Sequence, residues 1–393
     1  MNKDPVVILS ARRTPVGAFQ GAFAGVTAPQ LGAAAIRAAV AASGIAPGDI
    51  DEVIMGCVLS AGLGQAPARQ AALGAGLPRS TPATTVNKMC GSAMRAVMSA
   101  ADQIAAGSAQ TVVAGGLESM SNAPYLLPKA RAGYRMGHQE VLDHMFYDGL
   151  QSPWDGQLMG NFAEITAGKY GFSRLDQDAY ATQSARRAQS AGSSGAFRDE
   201  IAPVTARTRK GEALVDTDEI PGTLDIAKIA TLKPAFKKDG TVTAASSAGI
   251  SDGAAALVLT RESTAQARGL KPLARILGHA SFATDPEWFT IAPVGAVRKL
   301  LGQLQWSPGD ADLYEVNEAF AVVAMAAIHD LELDPATVNV NGGACDLGHP
   351  IGATGARILT TLLYALRARG KRTGIASLCI GGGEATAIAV ELL

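Results

Sequence analysis

Aromatic residues are scarce: Phe, Trp and Tyr make up 5% of the 393 residues. Cysteine is scarcer, with only Cys57, Cys90, Cys345 and Cys379 and no C-x-x-C pair. Four thiols in a chain this long do not form the disulfide framework of small secreted domains; they are buried apolar groups, reactive thiols or both. Histidine occurs five times. His138 and His144 have ligand-like spacing, but no cysteine pair accompanies them, so no metal site is expected. Neither sign of charge dominates, with 34 Lys+Arg against 35 Asp+Glu and a net charge of −1. That balance excludes the basic footprint of a nucleic-acid binder and a field drawing the chain to an anionic membrane. No uncharged apolar run approaches the ~18 residues of a membrane span. Asp4 and Pro5 stand where the apolar core of a signal peptide would continue, and Val390-Glu391-Leu392-Leu393 is neither a peroxisomal nor a lipidation signal. A cytoplasmic protein without nucleic-acid or membrane partners is expected.

Small residues are abundant instead. The chain holds 74 Ala and 44 Gly in a background that is 48% hydrophobic. The glycines have no G-X-Y period, and the apolar content is too high for disorder. Closely packed helices and strands are expected, with places where backbone approaches something tightly. The length suits two or three structural units around a large core.

The chain repeats itself. Ala28-Pro29 opens a helical apolar pattern that ends at Gly44 and is followed by Pro47-Gly-Asp-Ile-Asp. Ala292-Pro293 opens a similar pattern, followed by Pro308-Gly-Asp-Ala-Asp, 261 positions after Pro47. Thr85-Val-Asn87 has its counterpart in Asn339-Val-Asn341. Thr111-Val-Val-Ala-Gly-Gly116 matches Ile375 to Gly382, each read as a short strand running into a glycine turn. Three blocks in the same order imply two similar α/β halves with a cleft between them, where loops at strand ends meet. Residues from about 120 to 249 have no counterpart and read as an insertion over the cleft. One helix there is predicted from Arg174 to about Ala191, capped by Ser173 and ended at Gly192.

Four segments carry chemistry-bearing residues. In Val86-Asn-Lys-Met-Cys90-Gly-Ser, Cys90 is predicted to open a helix, where the positive end of the dipole lowers a thiol pKa; a buried structural thiol is the alternative. In Asn341-Gly-Gly-Ala-Cys-Asp-Leu-Gly-His349-Pro-Ile-Gly-Ala-Thr-Gly355, dense glycines surround a histidine able to act as a general base. In Ser377-Leu-Cys379-Ile-Gly-Gly-Gly-Glu384, a thiol precedes glycines whose N–H groups suit an oxyanion hole. In Glu315-Val-Asn317-Glu318-Ala-Phe320, Asn317 is either a functional amide or a helix cap.

Together these segments resemble the thiolase superfamily, whose patterns are V-N-x-x-C-x-S-x, N-E-A-F, N-x-x-G-G-x-x-x-x-G-H-P-x-G-x-[ST]-G and C-x-G-G-G. The resemblance covers essentially the whole chain, including Arg12-Arg13-Thr14-Pro15 and Ser251-Asp-Gly-Ala254. Arg135-Met-Gly-His138 and Met159-Gly-Asn-Phe-Ala-Glu164 are similar to segments of the family's acetyl-CoA acetyltransferases. The resemblance implies an α/β thiolase fold: two repeated βα halves in an αβαβα layered core, with an inserted loop domain. The expected units are 1–119 plus 250–270, the loop domain 120–249, and 271–393.

The resemblance also implies roles. Cys90 would be the acylated nucleophile, His349 its activating base and a donor to the thioester oxygen, and Cys379 the proton carrier for the second acyl-CoA. Asn317 would hold a water in one oxyanion hole, and the N–H groups of Cys90 and Gly381 would form the other. Met159, Phe236, Ser247, Ala248, Phe289, Ala319 and Phe320 would contact acyl-CoA. The implied reaction is reversible condensation of two acetyl-CoA to acetoacetyl-CoA plus CoA. A degradative 3-ketoacyl-CoA thiolase for longer or 2-methyl-branched substrates is the rival. Acyl-CoA and CoA are the implied partners, with no further cofactor, and the assembly is a homotetramer built through Tyr134-Arg-Met-Gly137.

Four positions depart from the pattern. Ala248 stands where a serine often meets the pantetheine amide, and Leu158 where a histidine is common. Phe289 resembles the branch that accepts a 2-methyl group. Asp346 replaces a small or apolar residue and is expected to bond loop N–H groups. Lys210, Lys228 and Lys237 are candidate phosphate neighbours, or ordinary surface lysines.

Overall fold

The computed structural model describes residues 4–208 and 211–393. In the N-terminal half the strands are β1 (Val6–Arg13), β2 (Glu52–Gly56), β3 (Ala83–Val86), β4 (Thr111–Ser119) and β5 (Ser251–Arg261). In the C-terminal half they are β6 (Ala274–Ala283), β7 (Leu313–Val316), β8 (Thr373–Ile380) and β9 (Glu384–Leu392). The order across the sheet is β7-β8-β9-β6-β1-β5-β4-β2-β3, so the halves join where β1 pairs with β6.

The helices are α1 (Ala28–Ser43), α2 (Pro67–Gly74) and α3 (Ser92–Ala106) in the first half. α4 (Met159–Tyr170) and α5 (Arg174–Ser194) lie between β4 and β5, in the stretch without a counterpart in the second half. α6 (Ala292–Leu304), α7 (Ala321–Asp330) and α8 (Thr354–Ala368) belong to the second half.

Alternation along the strands creates the layers, because successive side chains point to opposite faces. Ile8, Val112, Ala114, Leu257 and Leu259 face inward onto α3 and α8, and from the other half Leu313, Ala376, Leu378 and Ile388 join the same cluster. Val7, Leu9, Val53, Val113, Ala256 and Val258 face outward onto α1 and α2. Tyr314, Val316, Ile375, Ala385, Ala387 and Ala389 face outward onto α6 and α7. Three cores between five layers give the expected αβαβα order. The alanine excess also has its place here: Ala93, Ala96, Ala100, Ala101, Ala356 and Ala365 pack in the central layer. A methyl side chain lets helices and strands approach closely at little conformational cost.

The repeat is visible atom by atom. Pro47–Asp49 and Pro308–Asp310 are matching single 3₁₀ turns. After them, the Asp51 carboxylate accepts from the N–H groups of Gln110 and Thr111, and the Asp312 carboxylate from those of Arg372 and Thr373. Each aspartate thereby anchors the start of its neighbouring parallel strand.

Two local readings are corrected. Gly115 and Gly116 form no turn but lie within β4, which runs on to Ser119. They are glycines because backbone crowds them: a Cβ on Gly116 would overlap the Gly352 carbonyl. α5 passes Gly192 and ends at Gly195, which takes the left-handed φ of 77°. Gly192 has open space around it and is tolerated inside the helix, whereas Gly195 stops the chain with a C-terminal αL turn. The Ser173 cap holds: its Oγ accepts from the Asp176 N–H.

Candidate active site

Cys90 does not start a helix. The first helical residue is Ser92, with Gly91 as its cap, and Cys90 stands in the turn before it. The turn is tight: the Gly91 N–H donates to the Lys88 carbonyl (3.0 Å), and the Ser92 hydroxyl accepts from the Lys88 N–H (2.8 Å). Met89 takes φ 47°, a left-handed conformation costing about 1 kcal/mol or more for a side chain of this size. The surrounding contacts hold this strain, which projects the thiol out of the turn.

The glycine turn of the other half faces it. β8 ends at Ile380, and Gly382 and Gly383 have φ of 98° and 88° before β9 begins. A Cβ on Gly91 would overlap the Ile380 side chain, so the Cys90 turn lies flush against this loop. Lys88 and Glu384 close the contact with an ion pair.

The electrostatics of Cys90 overturn the expected lowered pKa. Burial pushes the thiol up to about 11. The backbone N–H groups of Gly381 and of Cys90 itself reach the sulfur and favour thiolate, while the charge of Glu118 opposes it. Desolvation outweighs the dipoles because the helix-end field adds only a fraction of a charge to a site removed from water.

His349 is 7% exposed. Burial, then the positive Arg357, holds its imidazole down at about 3, so the ring is neutral. Its Nδ1 lies 2.6 Å from the Thr354 hydroxyl, which itself donates to the Pro350 carbonyl (2.9 Å). The hydroxyl proton is thus committed, and Nδ1 must be the donor to Thr354. Nε2 then carries a bare lone pair, and it has no hydrogen-bond partner among the described residues. A neutral imidazole and a neutral thiol thus line the same cavity.

Cys379 is buried in β8, with its thiol driven well above its ordinary value by burial and then by the nearby Cys90. Asn317 directly follows β7, and its N–H donates to the Ser377 carbonyl (2.9 Å). It caps no helix, because α7 starts after Phe320. Its side chain is 1% exposed, and neither amide atom has a partner among the described residues.

One apolar cavity of about 190 Å³ gathers most of the expected residues. Cys90, His349 and Gly381 line it, and so do Met159, Phe236, Ser247, Ala248, Phe289, Ala319 and Phe320. Phe320 packs edge-on against Phe236 (5.8 Å) and Phe289 (6.5 Å) to form an aromatic wall. The segment carrying Ser247 and Ala248 is fastened by backbone: the Ala248 N–H donates to the Ala319 carbonyl (3.0 Å), and the His349 N–H to the Gly249 carbonyl (3.0 Å). The Ser247 hydroxyl donates to the Thr243 carbonyl (2.7 Å). Leu158 also lines the cavity, so an apolar side chain stands where a histidine was the common alternative.

The insertion is anchored through Glu318, whose carboxylate accepts from the hydroxyls of Tyr180 (2.9 Å) and Ser184 (2.7 Å) of α5 and from the Asn339 amide (2.9 Å). Met120, Phe146 and Leu150 add to the cavity wall from this stretch. Sequence reasoning missed them, since no motif marks a single 3₁₀ or π turn. It also missed Glu118.

Asp346 does not bond loop N–H groups. Neither carboxylate oxygen accepts a hydrogen bond among the described residues, and burial, then Glu318, pushes the acid up to about 7. Lys228 and Lys237 do not line the cavity. Lys228 is 76% exposed and pairs with Asp225, Lys237 is exposed, and Lys210 lies outside the described residues.

Residues 6–263 match the N-terminal domain of thiolase, and residues 270–392 match its C-terminal domain. The chain belongs to the thiolase family. It is 50% identical to an acetyl-CoA acetyltransferase of Chromobacterium violaceum, over 98% of this chain and 99% of that one. It is 49% identical to an acetyl-CoA acetyltransferase of Cupriavidus necator, with the same coverage. Among solved structures, the acetyl-CoA acetyltransferase of Bacillus anthracis superposes with a TM-score of 0.97 at 44% identity, covering 99% of both chains. The Acat5 thiolase of Ascaris suum in complex with coenzyme A gives 0.94 at 42% identity, covering 99% of this chain and 100% of that one.

Proposed function

We propose that this thiolase is an acetyl-CoA acetyltransferase, joining two acetyl-CoA reversibly into acetoacetyl-CoA and CoA. The observation that carries the reading is the convergence of Cys90, His349 and Gly381 on one small apolar cavity, with Cys379 buried beside Cys90. His349 Nε2 takes the Cys90 proton as the sulfur attacks the thioester carbonyl. The oxygen of the tetrahedral intermediate meets the N–H groups of Cys90 and Gly381. The departing CoA takes its proton from Cys379 and leaves as the thiol, so Cys379 remains as thiolate opposite the His349 imidazolium, and the acetyl group stays on Cys90. Cys379 exchanges a proton with the α-carbon of the second acetyl-CoA. The enolate oxygen faces His349 and the water held by Asn317, whose unpartnered amide suits that task. The carbanion attacks the acetyl group, and Cys90 departs as thiolate.

A cavity of about 190 Å³ closed by Phe289, Phe320 and Phe236 favours short acyl groups. Residues 120–249 act as the loop domain over CoA. The exposed apolar side chains of Tyr134, Met136 and Val141 suit subunit contacts, in line with a cytoplasmic homotetramer. The deciding assay is thiolysis of acetoacetyl-CoA, 2-methylacetoacetyl-CoA, 3-ketohexanoyl-CoA and 3-ketodecanoyl-CoA. The reading requires the first to be fastest. Preference for the decanoyl substrate would transfer the chain to the degradative type.

A further inference from the structure

Glu118 is fully buried near the end of β4, and no step above uses its carboxylate. Oε2 accepts from the backbone N–H groups of Val58 (3.0 Å) and Gly352 (2.9 Å). Oε1 accepts from the Leu59 N–H (3.1 Å) and the Cys57 thiol (3.8 Å). Four donors surround a group with about four lone-pair sites, so the arrangement fits an ionised carboxylate and leaves a carboxyl proton without an acceptor.

These donors come from both halves. Val58 and Leu59 follow β2 in the N-terminal half, and Gly352 lies three residues beyond His349 in the C-terminal half. The contact is close: a Cβ on Gly352 would stand 2.5 Å from Oε2. Ile351, between His349 and Gly352, packs with Val58, Leu59, Met120 and Met145 in one cluster that touches Cys90. A single side chain thus fastens the histidine loop to the wall behind the nucleophile.

We propose that Glu118 is a positioning residue whose carboxylate clamps the His349 loop of one half onto the Val58–Leu59 turn of the other, setting the geometry between His349 and Cys90. It rests on the assignment of Cys90 and His349 given above. Glu118 acts through Gly352 and does not touch the reacting atoms. Its charge has a second effect in the dry interior, because it opposes ionisation of Cys90 until His349 becomes imidazolium. The titratable groups facing Glu118 are Cys57 and Cys90, and those around Cys90 are Glu118, His349 and Cys379. Burial draws Glu118 up to about 7, and its hydrogen bonds to Val58, Leu59, Gly352 and Cys57 pull it back.

The test compares wild type, Glu118→Gln and Glu118→Asp as full-length proteins. Glu118→Gln turns an acceptor into a donor against backbone N–H groups. Glu118→Asp keeps the charge and withdraws it from Gly352. Both should lower kcat and the rate of Cys90 acetylation by about 10- to 100-fold, as expected for a displaced catalytic group, with KM for acetyl-CoA changed by less than about threefold. Iodoacetamide should alkylate Cys90 several-fold faster in Glu118→Gln at mildly alkaline pH, and no faster in Glu118→Asp. General loosening of the fold would accelerate both. Acetylation at wild-type speed in both variants, or equal acceleration of alkylation, overturns the role of Glu118 alone. If Glu118→Gln does not fold, kcat of Glu118→Asp decides. A wild type that never acquires an acetyl group on Cys90 overturns the site assignment instead.

Discussion

Thr354 fixes the tautomer of His349: its hydroxyl stands 2.6 Å from Nδ1 while giving its own proton to the Pro350 carbonyl 2.9 Å away. Nε2 of this cavity-lining ring is therefore without a proton and without a partner among the described residues. Thr354→Val keeps the shape and removes the acceptor, so the proton is free to move to Nε2. Acylation of Cys90 should slow by about 10- to 100-fold, the scale of losing a positioned base. Thr354→Ser should stay close to wild type. Rapid-quench measurement of acetyl-enzyme formation checks both, and a valine variant acylating at wild-type speed would refute the tautomer assignment.

Cys90 and Cys379 should separate by half-reaction. Cys379→Ala should acquire an acetyl group on Cys90 and then stall, with condensation reduced by at least about 10³-fold, because the α-proton has no acceptor. Cys90→Ser should show no acetyl thioester at all. Mass spectrometry of the acylated protein beside a condensation assay distinguishes them. Unchanged condensation in Cys379→Ala would exclude it as the proton carrier.

The layered fold was legible because duplication leaves its mark in loops as well as in strands. Asp51 and Asp312 follow equivalent Pro-Gly-Asp turns and receive equivalent N–H pairs. The candidate residues Cys90, His349 and Cys379 were legible because each lies on a motif whose glycines allow close packing, as Gly91 does against the Ile380 side chain. Three kinds of fact were not. Gly115-Gly116 looked like a turn, since a strand glycine forced by a crossing loop has no local signature. Met120, Phe146 and Leu150 reach the cavity from a 3₁₀ turn (Met120–Asn122) and a π-helical turn (Phe146–Leu150), each too short to carry a periodic pattern. The thiol of Cys90 was expected to be acidic, because a helix start is readable in a sequence and burial by a distant segment is not.

The raised Cys90 and lowered His349 values predict a neutral resting pair rather than a thiolate–imidazolium pair. The sign is direct. A thiol pushed up to about 11 is protonated at neutral pH, and an imidazole held down at about 3 is uncharged there. Alkylation of Cys90 in the free enzyme should therefore climb steadily as pH rises from neutrality toward 10, about tenfold per unit. A rate already level near pH 7 would mean that the ion pair exists before substrate arrives.

Asp346 gives the fold a pH-dependent weakness. Its carboxyl is raised to about 7 by burial and by Glu318, and its oxygens lack hydrogen bonds among the described residues. A folded-state value above the unfolded one means that the native state binds the proton more tightly. Stability from this group is complete below the unfolded value of about 3.9 and is lost as pH rises through about 7. Asp346→Asn cannot ionise, so it should match wild type near pH 4 and exceed it near pH 8 by about 1–3 kcal/mol, the scale of an unsatisfied buried polar group. Urea unfolding at the two pH values measures this. A variant no more stable at pH 8 than at pH 4, relative to wild type, would show that the carboxylate has partners in solution that relieve its burial.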